Sequence, residues 1–211
     1  MKYADRNGNF FEDENPQDRF TENLYGKRSR SPLKTLMITK PVSDVTGAFN
    51  NSVFSKLLIR PFIRKNGIDM SSYEDRDFKS FNDFFCRQIK EGERPFDTEP
   101  LHLPSPCDGK VTAYEIGAGK RFKIKGIEYT LDQLLKSKKA ASVFAGGTVV
   151  IIRLSVDDLH RYSYVDSGIK SRNIVIPGKY HTVNPHAAEH QQIYAENSRE
   201  YTLIKTDHFG P

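Results

Sequence analysis

The chain has 211 residues, 37% of them hydrophobic and 28% charged, a composition typical of one polar globular domain, alone or with an appendage. No run of about 18 apolar residues occurs and the N-terminal residues lack an apolar stretch, so we expect no membrane-spanning helix and no signal peptide. The net charge of +5 fits an anionic partner, and Cys86 and Cys107, outside any CxxC pair, indicate reduced thiols.

Residues 1–32 are polar and are predicted as loop, with one short strand around Tyr3 and residues 10–11. A helix is predicted next, because apolar residues recur at positions 54, 57, 58 and 62 between basic ones. Pro61 would kink or restart that helix. The stretch has two interpretations: a helix in an anionic membrane interface, or a helix packed on the core. In the first, the membrane-facing side chains are Leu57, Leu58, Phe62 and Ile63.

Ser80 is predicted to cap a short helix that has Asp83 at its third position, and Thr130 to begin another. Alternating and apolar runs after residue 100 predict strands, of which the run at 148–154 is the most apolar and is expected to be buried. The predicted strands lie at residues 111–116, 121–129, 148–154, 162–166, 172–177 and 199–205.

These elements predict an α+β fold. Residues 1–98 form a helical N-terminal region with membrane-proximal amphipathic helices. Residues 99–211 form a mainly antiparallel β-sandwich or barrel-like domain, which would carry the chemistry.

Two acid or imidazole segments stand at the edges of predicted strands. Asp108 precedes a glycine, which is common in tight turns, so the residue has a structural interpretation beside a catalytic one. His160 follows Asp157 and Asp158 and is either a general base oriented by a carboxylate or a hydrogen-bonded structural histidine. In an extended chain the two acids point to opposite faces, so at most one faces the same site as His160.

Three further histidines lie close together in the sequence, His181, His186 and His190. Their spacing contains Pro185 and no cysteine or acid completes a ligand set, so we expect no metal site, although His181 could line a pocket. The sequence contains no nucleophile elbow, P-loop, dinucleotide fingerprint or recognisable nucleic-acid motif.

Several short segments follow one another in a defined order, at residues 80–87, 94–97, 106–109, 158–162, 177–178, 183–184, 196–199 and 209–211. Over residues 33–211 they resemble the phosphatidylserine decarboxylases, including their P-x-D-G acid segment and their D-Y-H-R histidine segment. The resemblance favours the catalytic interpretation of Asp108 and His160.

The resemblance implies a lyase that cleaves itself at a serine to make a pyruvoyl cofactor. The pyruvoyl ketone would form a Schiff base with phosphatidylserine and accept electrons as CO2 leaves, giving phosphatidylethanolamine. By the same resemblance, Asp108 is the orienting acid of self-cleavage, His160 handles protons near the scissile carboxylate, and Asp158 holds His160.

Two departures from the family pattern stand out. Many members carry a second histidine, the usual triad base, where this chain has Ser163, and whether His181 or His160 substitutes is left open. The family's Gly-Ser cleavage step would follow Pro211. We therefore expect a chain truncated before the self-cleavage serine, incomplete at its C-terminus and inactive alone.

On this resemblance the chain is the β-chain portion of a phosphatidylserine decarboxylase of phospholipid biosynthesis, peripheral on the cytoplasmic membrane face. Its expected partners are phosphatidylserine, an anionic membrane surface and a C-terminal α-chain segment carrying the pyruvoyl group; a homodimer is left open and nucleic acid is not expected. The alternative is a non-enzymatic lipid-surface binding module that retains the scaffold. A nucleic-acid-binding β domain has only the charge in its favour.

Overall fold

The computed structural model describes residues 2–4, 9–12, 37–99, 101–117, 119–124, 127–183 and 192–210. Its helices are α1 (Lys40–Asn51), a 3-10 helix (Val53–Leu58), α2 (Ile59–Asn66), α3 (Phe81–Phe85), α4 (Leu131–Leu135), α5 (Lys138–Val143) and α6 (Ile193–Glu196). Its strands are β1 (Lys2–Ala4), β2 (Phe10–Glu12), β3 (Lys110–Glu115), β4 (Arg121–Ile124), β5 (Ile127–Thr130), β6 (Thr148–Arg153), β7 (Gly168–Lys170), β8 (Ile174–Ile176), β9 (Arg199–Tyr201) and β10 (Ile204–Thr206).

The strands pair two by two. β1 pairs with β2, β4 with β5, β8 with β9 and β7 with β10, all antiparallel, while β3 pairs with β6. The predicted α+β class with antiparallel strands is therefore confirmed. Across the described strands no barrel closes, because segments of three to six residues offer few ladder positions and each has one hydrogen-bonded neighbour.

Local sequence determines where several elements begin. The Ser80 hydroxyl accepts a hydrogen bond from the Asp83 N–H at 3.2 Å, and Thr130 and Gln133 form a reciprocal capping box, as predicted for both helices. Pro61 lies in the first turn of α2, where its missing N–H costs no helical hydrogen bond. The 3-10 helix accordingly gives way to α2 just before the proline.

Several strand predictions were wrong in detail. The runs at 121–129 and 199–205 each form two strands instead of one. Residues 162–166 form no strand, because the Ser163 N–H donates to the Pro106 carbonyl and the Asp166 side chain is bound by backbone N–H groups of neighbouring loops. The run at 148–154 forms β6 but is only partly buried, with Val150 49% exposed, since β6 pairs with β3 alone in the described sheets.

The chain divides into two compact units that interleave along the sequence. The first comprises Met1–Val42, Thr112–Ile151 and Arg172–Thr202, and the second comprises Ser43–Val111, Ile152–Ser171 and Leu203–Pro211. Both units contain residues from either side of position 98, and the predicted division into 1–98 and 99–211 stays a prediction.

Each unit has its own apolar core. In the first unit Ile116, Phe122, Ile124, Tyr129, Leu131 and Ala141 form it. Burial raises the pKa of Tyr129 to about 12, because the phenolate would lose its hydration there. In the second unit the core consists of Ile59, Ile68 and Phe84, with partly buried aromatic and aliphatic side chains around them. This second core supports the residues of the candidate site.

Candidate active site

The two segments that carry the predicted acid and imidazole groups lie against each other in the second unit. The Ser163 N–H donates to the Pro106 carbonyl at 2.8 Å, which joins the chain after His160 to the chain before Asp108. Gly109 has φ +138°, and a Cβ there would lie 2.8 Å from the Arg153 carbonyl oxygen. Only glycine allows the Asp108 turn to approach the end of β6 this closely.

The Asp108 carboxylate pairs with Arg94. Nε and Nη2 of Arg94 donate to the two carboxylate oxygens at 3.2–3.3 Å. This hydrogen bond raises the pKa of Arg94, whose charge therefore persists beside the acid. The pairing fixes the carboxylate plane, because a guanidinium fork binds two oxygens in one orientation.

Asp158 and His160 are linked through the backbone of one residue, Ser155. The Ser155 N–H donates to an Asp158 carboxylate oxygen at 2.5 Å, and the Ser155 carbonyl oxygen lies 2.8 Å from Nε2 of His160. Asp158 was expected to hold His160; each of the two side chains bonds a backbone group of Ser155, and the role of Asp158 in orienting the ring stays a prediction.

This contact determines the protonation of the His160 ring. A carbonyl oxygen can only accept, so Nε2 carries the hydrogen and donates it to Ser155. In the neutral ring the lone pair is then on Nδ1, which is the atom that can accept a proton. The Phe85 ring packs against the imidazole with centroids 4.1 Å apart and restricts its rotation.

Burial controls the acidity of this cluster. It raises the pKa of Asp158, helped by the negative charges of Asp157 and Asp108, against the Ser155 hydrogen bond and the His160 ring, which lower it. Burial likewise raises the pKa of the neighbouring Cys107 thiol, and the negative charges of Asp108 and Asp158 add to the effect. Burial thus makes the Asp158 carboxyl and the Cys107 thiol harder to ionise than the same groups in water.

His181 belongs to the other unit, and its predicted catalytic role stays a prediction. Its side chain is 1% exposed and its Nε2 lies 3.3 Å from Glu196. Its backbone N–H and carbonyl both bond the side-chain amide of Asn197. Lys179 and His181 lower the pKa of Glu196, which keeps this ion-pair cluster charged.

The described residues include no group of three His, Cys, Asp or Glu side chains that could hold a metal ion. His186 and His190 lie outside the described residues. Over the same described ranges, no helix is both long and apolar enough to cross a bilayer.

The side chains predicted to face a membrane separate into two groups. Leu57 is 80% exposed and Leu58 is also exposed, whereas Phe62 and Ile63 are partly buried and pack against the core of Ile59, Ile68 and Phe84. Further exposed apolar side chains occur on α1 and on the 3-10 helix. We call this set the apolar surface, and its members are Val45, Phe49, Val53, Phe54, Leu57 and Leu58.

Sequence reasoning missed the partners of the site. Arg94 was noted only as part of a motif, Phe85 only as a helix-face residue, and Ser155 not at all. The available indication was the chemistry of the side chains: a planar cation and an aromatic ring are suited to orient a carboxylate and an imidazole. The Ser155 contact is made by backbone atoms, which no side-chain pattern reveals.

Comparison with known proteins connects this geometry to a family. Residues 81–211 match the model of the phosphatidylserine decarboxylase family. The chain is 42% identical over 181 residues to phosphatidylserine decarboxylase proenzyme 2 of Clostridium acetobutylicum, covering 86% of this chain and 62% of that protein. It is 41% identical to the proenzyme of Ruminiclostridium cellulolyticum (87% and 62%) and 35% identical to that of Clostridium novyi (92% and 67%). The chain thus spans about three fifths of the length of the first of these relatives.

Proposed function

The chain belongs to the phosphatidylserine decarboxylase family, and from that premise we propose that it forms the scaffold portion of a carboxy-lyase acting on phosphatidylserine. The product would be phosphatidylethanolamine. The observation that carries the proposal is the convergence of Asp108, Asp158 and His160 in one unit, each with a defined hydrogen-bond partner.

His160 is the group that moves protons. Its Nε2 is committed to the Ser155 carbonyl, so Nδ1 accepts and returns the proton. Phe85 and Ser155 fix the ring in the plane from which Nδ1 acts, which removes the cost of ordering it during the reaction. Asp158 orients the ring through the backbone of Ser155.

Asp108 has a different function from Asp158. Paired with Arg94, it presents a carboxylate of fixed orientation on the segment bonded to Ser163. That arrangement suits an acid that orients a reacting group during self-cleavage. Ser163 occupies the position of the second family histidine, and its backbone holds the two segments together.

The family's cofactor is a pyruvoyl group, and the donor chemistry present here fits it. An imidazole nitrogen available as acceptor and a half-buried acid of raised pKa are the groups that proton transfer beside a ketone requires. When formed, the ketone of the pyruvoyl group would accept the electrons that are released as CO2 leaves. His160, Asp158 and Asp108 are the residues of this chain that would surround it.

The apolar surface is the proposed membrane contact of a peripheral protein. Val45 and Phe49 lie one turn apart on α1, and Phe54 and Leu57 lie one turn apart on the 3-10 helix. The exposed basic side chains of Arg60, Arg64 and Lys65 follow directly in the chain. Apolar side chains beside cations suit a surface of anionic lipid, on the cytoplasmic face.

A reconstitution assay tests the enzyme proposal. The chain is supplied with a C-terminal polypeptide carrying the family's Gly-Ser segment, in trans or fused, and CO2 release from phosphatidylserine is measured. We expect release that disappears in both Asp108→Ala and His160→Ala. Arg121→Met, which removes a surface ion pair with Glu128, is the control and retains release.

The second candidate is a lipid-surface binding module without chemistry, which the exposed apolar surface favours independently of the acids. A folded complex that binds vesicles but releases no CO2 would select it over the decarboxylase. Release that survives His160→Ala would instead overturn the assignment of the proton-handling group.

A further inference from the structure

Arg87 holds the chain immediately before His160. It lies just beyond α3 and is completely buried. Its Nη2 donates to the carbonyl oxygens of Asp157 at 2.9 Å and Asp158 at 3.2 Å, and to the Tyr73 hydroxyl at 3.3 Å. The guanidinium carbon also lies 4.3 Å from the centroid of the Tyr73 ring. These contacts fix the backbone on the N-terminal side of the imidazole.

Arg161 holds the chain immediately after His160 and points in the opposite direction. Its Nε donates to the carbonyl oxygens of Cys86 and Arg87 at 3.2 Å, and its Nη2 donates to Cys86 at 2.9 Å. The two arginines therefore exchange contacts: each guanidinium binds the backbone of the segment that carries the other. His160 lies between the two anchored points, with its ring on Phe85.

Stabilisation of the fold alone does not explain why an arginine is buried at position 87. Its Nε and Nη1 are buried without a hydrogen bond to the described part of the chain, and burying unpaired N–H groups is costly. An apolar side chain of similar volume would avoid that cost. What only the guanidinium provides is the set of bonds to the carbonyls of residues 157 and 158.

We infer that Arg87 and Arg161 are positioning residues for His160, acting as a reciprocal clamp between residues 84–87 and 157–161. The inference deepens the proposed function, because it takes His160 as the proton-handling group. Neither arginine contacts the imidazole; both act through the backbone on either side of it. Losing the clamp should loosen the Nε2–Ser155 bond and misplace Nδ1 while the core of Ile59, Ile68 and Phe84 persists.

The test uses Arg161, which is exposed and can be changed without opening the core. Arg161→Met removes all the donors of one side of the clamp, and Arg161→Lys keeps the charge but not the planar fork. The chain is labelled with 15N-histidine and the His160 resonances are assigned by their loss in His160→Gln. Exchange of the Nε2 hydrogen with solvent and CO2 release in the reconstitution assay are then measured.

Arg199 provides a matched control in the other unit. It too donates to several backbone carbonyls, those of Gln133, Leu134, Ala195 and Asn197. Arg199→Met therefore removes a comparable set of bonds and lowers the unfolding midpoint. It should leave the His160 resonances and their exchange unchanged.

We expect Nε2–H exchange at least tenfold faster in Arg161→Met, partial recovery in Arg161→Lys, and a fall in kcat of at least tenfold with little change in KM. Unchanged His160 exchange in Arg161→Met, or the same change in Arg199→Met, would overturn the clamp. Faster exchange in Arg161→Met alone supports the clamp even if the unsubstituted chain releases no CO2. In that outcome the proposed function fails and the positioning assignment stands.

Discussion

Nε2 of His160 lies 2.8 Å from the carbonyl oxygen of Ser155, a bond in which the backbone, rather than a carboxylate, sets the protonation of the imidazole. The carboxylate of Asp158 acts one step away, on the N–H of the same serine. In the neutral ring, the nitrogen that can accept a proton is consequently Nδ1, the opposite of a ring whose Nδ1 donates to an acid.

The first prediction concerns this tautomer. Neutral His160 should show the 15N shifts and long-range correlations of an Nε2–H ring. His208 is the internal comparison, because its Nδ1 lies 3.0 Å from the Asp166 carboxylate and should carry the hydrogen there. Two-dimensional 1H–15N spectra above neutral pH test both rings at once. Matching tautomers in the two rings would contradict the assignment.

The second prediction concerns Asp158 and pH. Burial raises the pKa of its carboxyl above the ordinary 3.8, so the folded state binds the proton more tightly than the unfolded state. The stability that the protonated carboxyl contributes is therefore complete below pH 3.8 and is lost as pH rises through the raised pKa. In Asp158→Asn the amide oxygen can still accept the hydrogen bond from Ser155, but the side chain does not ionise. The variant therefore does not lose stability from this group as pH rises. Its free energy of unfolding, measured in urea from pH 4 to 7, should rise relative to that of the unsubstituted chain until the pH has passed the raised pKa, and the difference should then stay level. A constant difference across this range would contradict the raised pKa.

The third prediction concerns Gly109. Alanine there would adopt an unfavourable φ of +138° and place a Cβ 2.8 Å from the Arg153 carbonyl oxygen and 2.9 Å from Cγ2 of Ile152. We expect a loss of about 3 kcal/mol in unfolding free energy, since strain and steric overlap add. Gly67→Ala is the control, because φ is +60° but no atom lies within 4 Å, and it should cost about 1 kcal/mol. Equal losses in the two variants would show that close approach does not matter.

The fourth prediction concerns the apolar surface. Replacing both Phe54, 73% exposed, and Leu57 by Asp should weaken binding to phosphatidylserine-containing vesicles at least about tenfold, because each inserted apolar side chain contributes about 1.5–3 kcal/mol. Thermal unfolding should hardly change. Ile169→Asp, at an equally exposed apolar position on β7, should bind as before. Vesicle sedimentation with and without phosphatidylserine separates lipid binding from association of two copies.

The fifth prediction concerns Phe62, which lies on the packed side of the same segment rather than on its exposed side. Its ring lies 5.0 Å from that of Phe81 in an edge-on contact. Phe62→Ala should therefore lower the free energy of unfolding by about 3 kcal/mol, measured in urea, and leave the vesicle affinity of the folded protein unchanged. Weaker vesicle binding without loss of stability would place Phe62 in the lipid contact instead.

Local patterns predicted much of the fold and less of the site. The caps at Ser80 and Thr130 follow from residues close in sequence, so the sequence alone predicted them. The sequence predicted one strand in each of the regions that form the β1–β2 and β4–β5 pairs, and it did not predict the pairing. The helical spacing of apolar residues correctly predicted that residues 53–65 are amphipathic. It could not predict that Leu57 is exposed and Phe62 packed, because the packing of α3 determines which face meets the core. The links through Arg94, Ser155 and Arg161 depend on tertiary placement of backbone carbonyls and on residues far apart in sequence.

The clamp also has a kinetic consequence. Arg161 reaches Cys86 across 75 residues and Arg87 reaches Asp157 across 70, so both bonds close long loops. Closing a loop costs entropy before its contacts provide any stabilisation, which places such bonds late on the folding path. The surroundings of His160 should then be absent from the transition state, and removing Arg161 should speed unfolding while leaving the folding rate unchanged. During synthesis the imidazole would be the last part of this unit to acquire its final geometry.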